Sequence, residues 1–497
     1  MKKPHIIIIN PDEMRADAMA HLGNPAAITP NLDRFAAQDA VSFSQAHCQN
    51  PVCVPSRCSF FTGLYPHVNG HRTMFHLLHP GESSLFSELR DSGYYVWMND
   101  RNDLYAGQFA GWAESNADEI HYRPQGVPGF RPVHPELRGQ PGDKTYYSHF
   151  RGELAAAPGE DARSSDDCAV DAAIDRILHP VDDRPLCMFL GLIYPHVPYG
   201  VEQPYYSAID RARLPARLPD CWGKSVALDS IRQNLNMGDY TEAEWDELRA
   251  AYLGMCMKVD AQFGRLVQAL KDAGIYDDCA IFFLSDHGDF CGDYGLVEKA
   301  QNSFEDCLTR VPFLVKPPKG VPCTPGTSDS LVELVDFYAT ALDFAGVASP
   351  HTQFGRSVRP LLTDHDYELR PFVCCEGGRL AEEIHCDESH NFSTAGIPPE
   401  MEYWPKVKAQ EDPIAHAKGI MLRTKEYKYI SRTAGKDEFY DLRIDPGETV
   451  NRIDEPAYTT TITELRLRML KWLEATSDIV PFQYDARWTP EMLARRM

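Results

Sequence analysis

The sequence predicts an α/β protein: a large, mixed, mostly parallel sheet flanked by helices, followed by a smaller C-terminal antiparallel sheet with one packed helix. Three observations predict it. Apolar, β-rich runs alternate with helical patterns through about residue 365. Those runs are almost continuously hydrophobic, as strands covered on both faces are. Past Pro371 the pattern changes to short strand-like runs followed by a single helical one.

Taken in order, the predicted strands of the large unit are His5–Asn10, Val41–His47, Tyr94–Met98, Leu186–Ile193, Cys279–Ser285 and Pro312–Val315. The predicted helices are Pro30–Gln38, Ser84–Ser92, Asp166–Leu178, Glu242–Ala273 and Leu331–Ala345, with apolar positions at helical spacing. Two segments, Ala106–Pro158 and Pro195–Gly238, are rich in Pro, Gly, Tyr and His and read as long loops, the kind that wall a substrate. Short strands at Phe372–Cys375, Gly419–Arg423, Lys428–Ser431 and Phe439–Asp441, with a helix from Thr461 to Ala475, complete the small unit. The domain boundary therefore falls between residues 1–370 and 371–497.

Composition bounds the function. A chain of 497 residues is too long for one small core, and 43% apolar with 24% charged residues is ordinary for a globular protein. The formal net charge of −23 argues against nucleic acid as a partner. An anionic substrate then requires a local basic pocket. The Ile6–Ile9 run is too short for a signal-peptide core, and no stretch is long enough to span a membrane. The expected location is the cytoplasm, where most of the 14 scattered cysteines are buried thiols.

In such sheets ligands sit beyond the carboxyl ends of strands, and the chemistry-bearing residues cluster there. After Val41–His47 comes Asn50-Pro51-Val52-Cys53-Val54-Pro55-Ser56-Arg57, with a helix expected to start near Ser56. Cys53 thus lies near a helix N-terminus, where free N–H groups favour anions and activated nucleophiles. Arg57 adds a cation one turn on. From spacing alone, a catalytic thiol and a buried cysteine beside a helix cap both fit. Asp12 and Glu13 follow the first strand, and Asp286-His287-Gly288 follows Ile281–Leu284. The acid after the first strand could instead be a helix N-cap. Arg101 and Asp103 follow the third strand, His196 the fourth, and Lys299 lies downstream of Asp286. His67, His71, Arg72, His76 and His79 supply the local basic density that an acidic chain needs for an anion; His71 and Arg72 are the candidates for contacts to the rest of the substrate.

Cys53-x-Pro55-Ser56-Arg57, then Thr62-Gly63 and Tyr65-Pro66-His67-Val68-Asn69-Gly70, resembles the signature of the formylglycine-dependent sulfatases, members of the alkaline phosphatase-like superfamily. The Ser285-Asp286-His287-Gly288 segment and the tail Phe439-Tyr440-Asp441-Leu442-x-x-Asp445-Pro446-x-Glu448 resemble the same family. The resemblance implies that Cys53 is oxidised by a formylglycine-generating maturation enzyme that reads Pro55 and Arg57. The resulting aldehyde hydrates to a geminal diol. It implies a divalent metal held by Asp12, residue 53, Asp286 and His287, with Glu13 at the second position of the family's acidic pair. His196 and Lys299 match family residues that face the ester oxygen. Arg101 and Asp103 stand where the family places Lys and His, and Arg exchanges protons poorly.

An oxygen-rich site suits Ca²⁺ or Mg²⁺, and a histidine ligand brings in Mn²⁺; the resemblance puts Ca²⁺ first. The implied substrate is a sulfate monoester, of a carbohydrate or another small molecule. Two rival readings accompany it: a phosphonate monoester or phosphodiester hydrolase on the same fold, and an anion-binding module with Cys53 unmodified.

Overall fold

In the computed structural model, which describes residues 3–124, 129–160, 162–383, 400–480, 482 and 487–494, fifteen strands are seen. They are β1 (His5–Asp12), β2 (Val41–His47), β3 (Tyr95–Asn99), β4 (Glu119–His121), β5 (Arg131–Pro132), β6 (Phe150–Ala155), β7 (Leu186–Pro195), β8 (Tyr199–Glu202), β9 (Cys279–Leu284), β10 (Phe313–Lys316), β11 (Gly326–Glu333), β12 (Val373–Gly377), β13 (Gly419–Arg423), β14 (Tyr427–Arg432) and β15 (Glu438–Asp441). Eight form one sheet in the order β11-β2-β10-β9-β1-β7-β3-β4. β1 runs parallel to β7 and β9, and β3 parallel to β7. Only β10 opposes its neighbours β9 and β2. The fold class matches the expectation, a mixed and mostly parallel sheet followed by the antiparallel sheet β12-β13-β14-β15.

β1 shows why the sheet is closed on both faces. Ile7 and Ile9 enter one core, with Leu248, Val259 and Phe263 of the Glu242–Asp272 helix. Ile6 and Ile8 enter the other, with Phe60 and Phe61 of the Cys53–Thr62 helix. Strand residues alternate faces, so a strand flanked by two helical layers must be apolar at every position. Each of these isoleucines contributes about 1.5–3 kcal/mol by burial.

The topology also fixes where a site can be. Because β10 opposes both β9 and β2, those two run in the same direction as β1, β7 and β3. The carboxyl ends of β2, β9, β1, β7 and β3 therefore share one edge of the sheet.

Three expectations are corrected. The helix after β2 begins at Cys53 itself rather than near Ser56, with Val52 extended at the N-cap (φ −139°, ψ 158°). The run from Leu331 is not helical at its start: Leu331, Val332 and Glu333 pair with Gln45, Ala46 and His47 at the edge of β2, and the helix begins at Val335. Sheet pairing there outweighs local helical preference. The segments read as long loops carry regular structure, including the small sheet β5-β6-β8 and the Val226–Leu235 helix. Residues 125–128 of the first segment lie outside the described residues, as does Cys386. The other 13 cysteines carry no disulfide. Among the described residues no helix is long and apolar enough to cross a membrane.

Candidate active site

Asp12 ends β1, Asp286 and His287 follow β9, and Cys53 opens the first turn beyond β2; all four are buried. Each offers one donor atom, and the four atoms lie within 4.8 Å of one another. Cys53 Sγ stands 3.4 Å from Asp12 Oδ1 and 3.2 Å from His287 Nε2. His287 Nδ1 is 3.0 Å from the Gly288 carbonyl, so that nitrogen carries the proton and Nε2 presents a lone pair to the group.

Local sequence fixes this geometry. Ser285 Oγ accepts from Met14 N–H (2.8 Å) and lies 2.9 Å from the Pro11 carbonyl, tying the β9 end to the β1 end. Gly288 is needed because a Cβ there would stand 2.0 Å from the Cys307 carbonyl oxygen. At Gly191 on β7 a Cβ would lie 2.4 Å from the carbonyl oxygen of Arg101, so that glycine lets the arginine loop close on the sheet.

The acids are balanced by two arginines. Arg57 Nε donates to Asp286 Oδ2 (2.7 Å), and Nη2 donates to Asp12 Oδ2 (2.9 Å). Arg57 Nη1 reaches the Arg101 carbonyl (2.7 Å) and Asp103 (3.2 Å). Arg101 Nη2 donates to Asp12 Oδ2 (2.5 Å) and keeps 25% side-chain exposure. Burial opposes ionisation of Asp12, but the charges of Arg101 and Arg57 prevail and hold its carboxyl far below the usual range. Burial pushes the His287 imidazole down to about 4 against the pull of Asp286, so it is neutral at neutral pH.

A second buried group adjoins the first. Lys299 Nζ donates to His196 Nε2 (2.9 Å) and Glu298 Oε1 (2.8 Å), and lies 3.4 Å from Glu13 Oε2. His196 Nδ1 lies 2.8 Å from the Val197 carbonyl, leaving Nε2 as the acceptor for the ammonium.

Glu13, expected beside Asp12 as an acidic ligand, groups with His196 and Glu298 instead. The cause is its backbone. Glu13 has φ 68°; its N–H donates to Asp286 Oδ1 (3.2 Å), and its carbonyl accepts from Tyr252 Oη (2.8 Å). That twist sends consecutive carboxylates into different groups.

The two candidate substrate contacts are held by their own neighbours. His71 lies 2.9 Å from the His76 carbonyl and 3.1 Å from Glu82 Oε1. The Arg72 guanidinium pairs with Glu383, while its carbonyl accepts from Gln301 Nε2 (2.9 Å).

Two further residues reach this centre. Lys406, on the Trp404–Ala409 helix, is 4% exposed and its ammonium meets Glu298 Oε2. Burial pushes that ammonium down to about 7, with Glu13 and Asp289 acting in the opposite sense. His149, buried with φ 57°, is kept neutral by burial and by the nearby cations Lys406, Arg151 and Lys299. Neither has a motif around it. Pro405 after two aromatics marks a helix start at most, and says nothing of which face turns inward.

Buried acids, a neutral histidine and a helix-start cysteine at the carboxyl edge of this sheet define a hydrolase of the alkaline phosphatase-like fold. Comparison with known proteins narrows the class. The Sulfatase family model matches residues 4–347, and the chain belongs to the sulfatase family of sulfuric ester hydrolases. It is 24% identical over 503 residues to an arylsulfatase of Clostridium perfringens, covering 96% of this chain and 95% of that protein. It is also similar to the crystal structure of the phosphonate monoester hydrolase of Agrobacterium radiobacter (TM-score 0.73, 20% identity, 99% of both chains). A third likeness is to a protein solved in complex with its substrate D-glucosamine-2-N,6-O-disulfate (TM-score 0.70, 18% identity, 95% of this chain and 98% of that one).

Proposed function

We propose that the protein hydrolyses a sulfate monoester at residue 53, after a maturation enzyme has oxidised Cys53 to formylglycine. The observation that carries this reading is the convergence of Asp12, Cys53, Asp286 and His287 within 4.8 Å at the buried strand ends.

The donor set fits one divalent cation. Two carboxylates and an oxygen on residue 53 suit Ca²⁺, our first choice, or Mg²⁺, and the open Nε2 of His287 admits Mn²⁺. When bound, the ion neutralises charge on a sulfate oxygen and lowers the pKa of a hydroxyl beside it. Formylglycine supplies the hydrated aldehyde: one hydroxyl to bond sulfur, the other to release sulfate, which an ordinary serine or thiol lacks.

The remaining work falls to this chain's own side chains. Arg57 ties Asp12 to Asp286 through two charge-assisted hydrogen bonds. Arg101, anchored on Asp12 yet partly exposed, brings its guanidinium charge to the sulfate oxygens. Lys299 holds a proton against His196 Nε2, and the pair delivers it to the departing alcohol oxygen.

A sulfated carbohydrate is the substrate class we favour. The aromatic- and histidine-rich segments 106–158 and 195–238 supply walls for a sugar, and the likeness to a protein solved with a glucosamine disulfate supports the reading. The likeness to a phosphonate monoester hydrolase makes phosphonate the competing substrate. A screen of matured protein against sulfated mono- and disaccharides, an aryl sulfate and a phosphonate monoester tests both. The proposal expects the highest kcat/KM on a sulfate ester; a clear preference for the phosphonate would replace it.

A further inference from the structure

We propose that Lys406 is a positioning residue for leaving-group protonation: it shares the carboxylate of Glu298 with Lys299 and so keeps the Lys299 ammonium against His196. The inference rests on the assignment of His196 and Lys299 to the departing oxygen.

Glu298 is the hinge of the argument. It sits at φ 59°, a left-handed conformation that costs a non-glycine residue about 1 kcal/mol or more. Two bonds hold it there: Glu298 N–H donates to Tyr199 Oη (2.8 Å), and its carbonyl accepts from Phe290 N–H (2.9 Å). Strain kept in place by buried partners marks functional geometry. Its effect is to place one carboxylate between two lysines. Oε1 accepts from Lys299 Nζ (2.8 Å), whereas Oε2 accepts from Lys299 N–H (2.8 Å) and meets the Lys406 ammonium.

Among the described residues, Lys299 Nζ thus has three acceptors: Glu298, Glu13 and His196. The two carboxylates attract it more strongly than a neutral imidazole does, and in a buried site that difference is large. A second cation on Glu298 weakens the competition from one of them. Lys299 then stays within 2.9 Å of His196. Without Lys406, Glu298 draws Lys299 off the His196 side, and the proton donor moves away from the leaving oxygen.

Lys406 is anchored for this task from outside the family-matched residues 4–347. Glu402, just ahead of its helix, pairs with Arg138 and Arg151, and Tyr403 packs on His149 with ring centroids 5.2 Å apart. Ala409, at the helix end, joins the core beneath the main sheet. The C-terminal part of the chain therefore completes the proton-delivering group.

The test uses matured, metal-loaded protein and two sulfate esters of similar size, one with an acidic phenol (4-nitrophenyl sulfate) and one with an unactivated phenol. Lys406→Met should lower kcat about tenfold or more on the unactivated ester, with KM within about threefold, because misplaced proton donors cost rate rather than binding. The loss on 4-nitrophenyl sulfate, whose leaving group needs no proton, should be several-fold smaller, and Lys406→Arg should recover most of the rate. An equal loss on both esters, or a change in KM alone, overturns the inference. If Lys406→Met does not fold, Lys406→Gln is read in the same way. Should the unaltered enzyme prefer phosphonates, the sulfatase reading fails by itself. The same variants on two aryl phosphonates then decide the role of Lys406 independently.

Discussion

Arg57 Nη2 donates to Asp12 Oδ2 across 2.9 Å with neither side chain exposed to solvent, while its Nε holds Asp286 Oδ2 at 2.7 Å. One guanidinium therefore joins the ends of two strands that are neighbours in the sheet but 274 positions apart in the chain. A lone buried carboxylate would protonate rather than remain charged. Arg57 counters the charge of both acids and fixes one oxygen of each, as a cation site needs.

Replacing Arg57 by Lys removes the fork that spans both acids. Breaking buried pairs of this kind costs about 3–5 kcal/mol. The expected result is a lower Tm together with a fall in kcat of about 10²-fold or more. Thermal unfolding and steady-state kinetics on the same preparation check it; unchanged kcat would remove Arg57 from the machinery.

Arg101 serves differently because it is partly exposed. Arg101→Ala should lower kcat by about 10²-fold and, by taking a cation from buried Asp12, lower Tm by less than Arg57→Lys does. Arg101→Lys should recover only part of the rate, since a point charge cannot reach Asp12 and a sulfate oxygen together. Kinetics of the two variants side by side test this.

The four-donor group should respond to cations without any substrate present. Adding Ca²⁺ or Mn²⁺ to chelator-treated protein should raise Tm, with about 2.7 kcal/mol of stabilisation at a hundred times Kd. Asp286→Asn should lose most of that shift. A shift that survives Asp286→Asn would place the ion elsewhere.

Lys406 gives a pH prediction. Its ammonium titrates near 7 in the folded protein, so its charge is full below that pH and lost as pH rises through it. kcat on the unactivated ester should fall across this range, and Lys406→Arg, permanently charged, should move the fall to higher pH. The unfolded-state pKa of lysine is about 10.4, so between about 7 and 10 the unfolded chain binds more protons. Across that window the contribution of Lys406 to stability rises with pH, a trend Lys406→Met abolishes in denaturant melts.

Much of this centre is legible in the sequence because its chemistry sits next to strands that announce themselves. Ile6–Ile9 and Ile281–Leu284 are buried on both faces, and their apolar runs point directly at Asp12 and Asp286. The family signature adds the role of Cys53. What the sequence does not disclose is orientation. Glu13 follows Asp12, yet a left-handed backbone sends it to a different group. Lys406 sits in a short helix with nothing local to distinguish an inward lysine from a solvated one; the packing of Tyr403 on His149 and of Ala409 in the main core sets the face that turns inward. Leu331–Glu333 reads as helix because its partner strand is far away in sequence.

The most direct test is the mass of the peptide containing residue 53, taken from a preparation that is turning over a sulfate ester after co-expression with a maturation enzyme. Conversion of the thiol to an aldehyde, a loss of about 18 Da, is the predicted result. An unmodified thiol throughout an active preparation would contradict the account.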